Sequence, residues 1–143
     1  MRRDHGPRHQ SLPIWRDANR LLLEIERSVC KFPRYHKYTL GSDLRRLVME
    51  VCRCVVRAAH FVAGSEAQHA DHERALERLV LLVEDLKITI QLAKELEAFA
   101  SFAEFARVAE LAVAVGKQSG GWRKAAWAKA RPEVQSPVPG ARG

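Results

Sequence analysis

Apolar residues return at steps of three and four along this chain, in four stretches separated by proline, glycine and serine. An α-helix turns once every 3.6 residues, so this spacing gathers apolar side chains into a stripe down one face. Ile14, Ala18, Leu21, Ile25, Val29 and Phe32 form the first stripe. It opens at Pro13, since proline is tolerated in a first helical turn, and closes before Pro33, which disfavours helical angles in the residue ahead of it. Leu44, Val48, Val51, Val55, Ala59 and Val62 form the second, with Ser42 as N-cap, Asp43 in the first turn and Gly64 at the end. The third runs through Leu76, Leu79, Val83, Leu86, Ile90 and Ala93 to about Glu97, opened by Ser65 with Gln68 as a capping box. Ser101 with Glu104 is a second capping box, ahead of Phe102, Phe105, Ala109, Ala112 and Val113, and Gly120-Gly121 stops that helix. No stretch alternates with the period of a strand. The spacing predicts helices over about 13–31, 42–63, 66–97 and 102–118. Short connections fold such helices back on one another, giving an all-α, antiparallel up-down-up-down four-helix bundle.

With 143 residues, 47% of them hydrophobic, the chain has material for one core. The bundle is expected over 12–122, flanked by a flexible basic arm, 1–11, and a basic tail, 123–143. The tail carries Pro132, Pro137 and Pro139 and is expected to be mostly disordered, apart from a short extension around Trp127. Leu81, Leu82, Ile88 and Leu92 stand away from the third stripe. A face that wide predicts burial against more than the helices of one chain.

The formal net charge is +7, which favours polyanionic partners. It is unevenly spread: residues 1–38 carry +5, 39–63 +2, 64–98 −4, 99–119 zero and 120–143 +4. Arg16, Arg20, Arg27 and Lys31 fall on one face of the first helix, and Arg46, Arg53 and Arg57 on one face of the second. Arg34 and Lys37 lie between them, so the two lines are expected to form one basic surface. A solvated face is the ordinary explanation of such charge. Two features favour nucleic acid instead: arginine, which suits bidentate phosphate contacts, predominates, and the acid is segregated onto the third helix. In the tail, Arg123, Lys124 and Trp127 offer further contacts, with an aromatic ring to stack on unpaired bases. Trp122 is expected to pack back on the bundle instead.

Cys30, Cys52 and Cys54 are too few and too irregular for a disulfide framework, and Cys52-Arg53-Cys54 on a helix points its thiols in different directions. No signal-peptide or membrane-spanning run is present in the sequence, so a cytoplasmic protein without membrane attachment is expected. Phosphate-loop, nucleophile-elbow and dinucleotide motifs are absent, and no catalytic residue, metal site or cofactor is assigned. Glu66, His69, His72 and Glu73 share one helical face and raise the alternative of a metal-binding helical enzyme. Di-iron bundles use two Glu-x-x-His motifs; only Glu66-Ala67-Gln68-His69 fits, at a helix start, so a solvated first turn is favoured.

The stretch Phe32-Pro33-Arg34-Tyr35-His36-Lys37-Tyr38-Thr39-Leu40-Gly41 resembles the junction between helices one and two in the accessory variability determinant proteins of diversity-generating retroelements. Gly116 through Gly120-Gly121-Trp122 is similar to that family's helix-four close, and the acidic third helix with Leu92-Ala93-Lys94-Glu95-Leu96 also fits. The resemblance covers roughly residues 14–123. A second group, the four-helix proteins encoded by intervening sequences of ribosomal RNA, shares the Phe-Pro start. It usually continues into an Asn-Ile-Ala-Glu-Gly signature, where this chain has Ala58-Ala59-His60-Phe61-Val62-Ala63-Gly64. The resemblance to the retroelement group implies a homopentameric barrel of four-helix protomers. It also implies a non-catalytic subunit that binds the reverse transcriptase and template RNA or cDNA during mutagenic retrohoming, diversifying a target gene. Arg34 and Lys37 match basic positions of the junction motif; the helical arginines are read from their own spacing. A protein-only scaffold is the alternative, with the charge meeting an acidic partner surface.

Overall fold

The computed structural model describes residues 8–61 and 66–130. A 3₁₀ turn, Arg8–Ser11, precedes α1 (Pro13–Cys30), the one-turn α2 (Arg34–Lys37), α3 (Leu40–His60), α4 (Glu66–Glu95) and α5 (Phe102–Ala130). No strand occurs among the described residues. None of their helices is long and apolar enough to cross a membrane.

The four long helices pack as a ring of neighbours, α1 beside α3, α3 beside α4, α4 beside α5 and α5 beside α1. Named contacts mark each seam. Between α1 and α3, the Cys52 thiol donates to the Ala18 carbonyl at 3.8 Å and Arg45 reaches Glu26 at 2.9 Å. Between α3 and α4, His72 Nδ1 donates to the Ala58 carbonyl at 2.8 Å and the Cys54 thiol to that of Ala75 at 3.4 Å. Between α1 and α5, Gln118 donates to Asp17 at 2.7 Å and Arg107 meets Glu24 at 3.2 Å. Between α4 and α5, Lys94 sits 5.5 Å from the centre of the Phe105 ring and His72 lies edge-on to Trp122 at 5.8 Å.

The stripes read from the sequence meet in the middle. Leu21, Ile25, Leu44, Val48, Val51, Val55, Leu76, Leu79, Val83, Leu86 and Ile90 are fully buried. Each such side chain contributes about 1.5–3 kcal/mol on burial, against roughly 0–1 kcal/mol for an exposed ion pair, so the core and not the charged surface holds the bundle.

Several local expectations are corrected. Within the expected arm, Arg8–Ser11 form a 3₁₀ turn, and the His9 ring lies edge-on to Trp15 at 4.5 Å. The connection after Pro33 contains a helical turn, because the Pro33 carbonyl accepts from both His36 and Lys37 at 2.9 Å. The second long helix starts at Leu40, leaving Ser42 inside its first turn and not at the cap. That early start is possible because Gly41 is buried against α1: a Cβ there would lie 2.7 Å from Val29 Cγ1. Val62, Gly64 and Ser65, the expected end of one helix and start of the next, lie outside the described residues.

The last helix departs furthest. The Ser101 hydroxyl accepts from the Glu104 amide at 3.1 Å, half of the expected capping box, but the Glu104 carboxylate turns to Lys31. The buried line is Val108, Ala112 and Val115, while Phe102 and Val113 are exposed. Gly120-Gly121 does not end α5, which continues to Ala130, so residues 123–130 of the expected tail are helical. A helical glycine costs about 1 kcal/mol relative to alanine. Trp122 and Ala126, both packed against the core, and the alanine-rich sequence beyond offset that cost.

Candidate nucleic-acid interface

The arginine line of α1 points outward and leans toward α5. Arg20, Arg27 and Arg107 border a cleft of about 560 Å³ between these helices. Glu24 serves two of them, Arg27 at 2.8 Å and Arg107 at 3.2 Å. Arg16 approaches Asp17 at 3.9 Å, and Lys31, at the end of the same line, is tied to Glu104.

The line of α3 leans toward α4 instead. Glu50 lies 2.7 Å from Arg53, 4.0 Å from Arg57 and 3.8 Å from Arg78 of α4. One carboxylate therefore answers three guanidinium groups, and the seam keeps a surplus of positive charge. Arg46 pairs with Asp43 at 3.7 Å. A smaller cleft beside the α3 line is bordered by Glu26, Arg45, Arg46, Met49 and Arg53. The expected single surface is thus two basic ridges on adjacent helices, met by Arg45 on the flank.

These ion pairs are half exposed, and exposed pairs contribute about 0.2–1 kcal/mol. Arg20, Arg34 and Lys37 have no ion-pair partner among the described residues. Arg34 and Lys37 stand on α2, each followed in sequence by an open tyrosine: Tyr35 and Tyr38 are 85% and 71% exposed. Cations interleaved with open aromatic faces suit unpaired bases.

Arg45, Arg78, Arg107, Tyr35 and Tyr38 belong to this surface and were not singled out from the sequence. The alternation Arg34-Tyr35-His36-Lys37-Tyr38 carried a readable signal for the tyrosines. Arg78 and Arg107 gave none, because they reach the surface from other helices. Arg123, Lys124 and Trp127 are exposed on the last turns of α5, and Trp122 packs inward as expected.

The face of Glu66, His69, His72 and Glu73 divides. His72 is buried, bonded to Ala58 and edge-on to Trp122, while His69 is exposed. Among the described residues no group of three His, Cys, Asp or Glu side chains is placed to hold a metal ion. Cys52 and Cys54 are both buried free thiols, and Cys30 is exposed. Burial pushes the Cys52 thiol up to about 11 despite Arg53 beside it, and raises that of Cys54 as well.

Leu81, Ile88 and Leu92 form an exposed line on α4 with Leu96 just past its end, while Leu82, expected with them, is in the core. The chain matches no known protein-family model and no curated protein.

Proposed function

We propose that this protein is a non-catalytic binding subunit: an antiparallel up-down-up-down bundle that holds nucleic acid on the arginine ridges of α1 and α3. The observation that carries the reading is the Glu50 cluster, where three arginines from two helices share one carboxylate. Crossed by a phosphate backbone, that site exchanges one weak carboxylate contact for several charge-assisted hydrogen bonds. The unpaired Arg20, Arg34 and Lys37 extend it.

The resemblance of Phe32–Gly41 and of the Gly120-Gly121-Trp122 close makes the nucleic acid template RNA or cDNA. It makes the protein partner the reverse transcriptase of a diversity-generating retroelement, with this chain supporting mutagenic retrohoming. The exposed Leu81, Ile88 and Leu92 line supports assembly, and a homopentamer is the state we propose. Repetition around a ring converts a weak phosphate contact per protomer into tight binding.

Filter binding of single-stranded RNA at several salt concentrations tests the reading. The logarithm of the affinity should fall linearly with the logarithm of salt concentration. Arg46, Arg53 and Arg57 changed together to Glu should abolish binding and leave the oligomer intact. Ile88→Glu with Leu92→Glu should lower the mass seen by light scattering without loss of helicity. No RNA retained at low salt would reject the nucleic-acid reading in favour of a protein-only scaffold, akin to the intervening-sequence proteins of ribosomal RNA.

A further inference from the structure

The continuation of α5 past Gly120-Gly121 builds a cleft that a helix ending there would lack. It measures about 720 Å³ and lies between the first half of α4 and the last turns of α5. Each helix contributes residues spaced by three, four and seven, which share one helical face. From α4 come Arg74 and Glu77, with Glu73 beside them; from α5 come Gly120, Arg123, Lys124 and Trp127. A Cβ at Gly120 would meet nothing within 4 Å, so the missing side chain leaves open space in the wall. Buried Leu76 gives the cleft an apolar floor.

The charges in this cleft are of both signs. Glu77, Arg123 and Lys124 make no ion pair among the described residues, and Arg74 pairs within its own helix, with Asp71. The occupant that fits carries an anionic group, a flat ring for Trp127, which is 39% exposed, and a donor edge for a carboxylate. A nucleotide has all three. Of the bases, guanine alone presents two adjacent N–H donors, N1–H and the 2-amino group, which a carboxylate accepts side by side. Adenine and cytosine set a ring-nitrogen acceptor beside their amino group, and uracil flanks its single N–H with carbonyls, so each puts lone pairs against Glu77.

We infer that this cleft takes an unpaired guanine nucleotide of a single strand. Trp127 stacks on the base, Glu77 accepts from its Watson–Crick edge, and Arg123, Lys124 and Arg74 meet the flanking phosphates. The inference rests on the nucleic-acid reading above and adds base selectivity to it, at a site separate from the Glu50 cluster.

Fluorescence anisotropy with a labelled single-stranded RNA, carrying either guanosine or inosine at the same positions, tests it. Inosine lacks only the 2-amino group. The intact chain should bind the guanosine strand about tenfold more tightly, the worth of one good bidentate base contact. Glu77→Gln should bring the ratio close to one. Trp127→Ala should weaken guanosine binding about tenfold, and Trp127→Phe should restore most of it. The triple charge reversal at Arg46, Arg53 and Arg57 should abolish binding of both strands alike and so does not enter this comparison. A guanosine-to-inosine ratio of one in the intact chain, with salt-dependent binding still present, overturns the guanine site and leaves the arginine ridges standing. Absence of binding to either strand at low salt overturns both.

Discussion

Lys31 Nζ lies 2.5 Å from Glu104 Oε2, joining the residue after α1 to the first turn of α5 across 73 positions of sequence. The Glu104 side chain is 11% exposed, and its other oxygen, Oε1, is buried without a hydrogen-bond partner. A half-desolvated carboxylate depends on its one cation, because a buried acceptor left unmade costs more than a typical hydrogen bond contributes. Lys31, at the end of the arginine line of α1, therefore also neutralises a largely buried carboxylate.

Lys31→Met should destabilise the protein by about 1–2 kcal/mol, reduced from the cost of a fully buried pair because the ammonium is largely exposed. Replacing both partners, Lys31→Met with Glu104→Leu, should cost less than the single change, since no charge is then stranded. Urea denaturation of the three proteins measures this. Equal midpoints for the single variant and the unaltered chain would show that the pair contributes nothing.

Glu97→Gly should stabilise the protein. Glu97 has φ 60°, and around it the Ala98 amide donates to the Ala93 carbonyl and the Glu97 amide to that of Lys94, both at 2.9 Å. This is the left-handed turn that closes many helices, and glycine adopts it without the strain of a Cβ. Relief of about 1 kcal/mol is expected. The exposed Glu97 carboxylate makes no ion pair among the described residues to be lost. Thermal unfolding should show a higher midpoint, and a lower one would refute the strain argument.

Gly41→Ala should act in the opposite direction to the usual effect of alanine in a helix. The new methyl carbon would stand 2.7 Å from Val29 Cγ1, on a β-branched side chain with little freedom to turn away. Overpacking of this kind costs about 1–3 kcal/mol. Adding Val29→Ala should recover part of the loss, and a double-mutant cycle of denaturation midpoints reads that coupling.

Stability should decline as pH rises between about 9 and 11. The Cys52 thiol is raised from 9.0 to about 11 by burial, so in that interval the unfolded chain releases a proton that the folded chain keeps. The folded state then binds more protons, and the unfolding free energy falls with pH. The contribution is complete below pH 9 and lost as pH approaches 11. Cys52→Ala should flatten the slope of a denaturation series across this range. In the folded protein a thiol reagent should label exposed Cys30 first, leaving Cys52 and Cys54 for the unfolded chain.

Much of the core was legible because a stripe needs only local geometry. Leu44, Val48, Val51 and Val55 repeat at helical spacing, and all four are buried. His72 illustrates a signal misweighed: it precedes Leu76 by one turn on the same stripe, which pointed inward, yet its place near a helix start suggested a solvated turn. Its ring instead spans the α3–α4 seam and touches Trp122. Gly120-Gly121 illustrates a local rule overruled. Two glycines are poor helix formers, but the packing of Trp122 and Ala126 on the core carries the helix through them.

The sequence by itself determined where most of the helices form, which residues of the first three stripes face inward, and that positive charge concentrates in residues 1–63 and 120–143 while 64–98 are acidic. These follow from periodicity and composition, which act between residues a few positions apart. Only the tertiary structure decided what the charges do. Lys31 is spent on Glu104, Arg78 crosses from the acidic helix to Glu50, and the arginine lines lean to opposite seams. Each of those outcomes joins residues far apart in the chain. Which cation meets which carboxylate depends on how the helices pack, and helical spacing alone does not encode that.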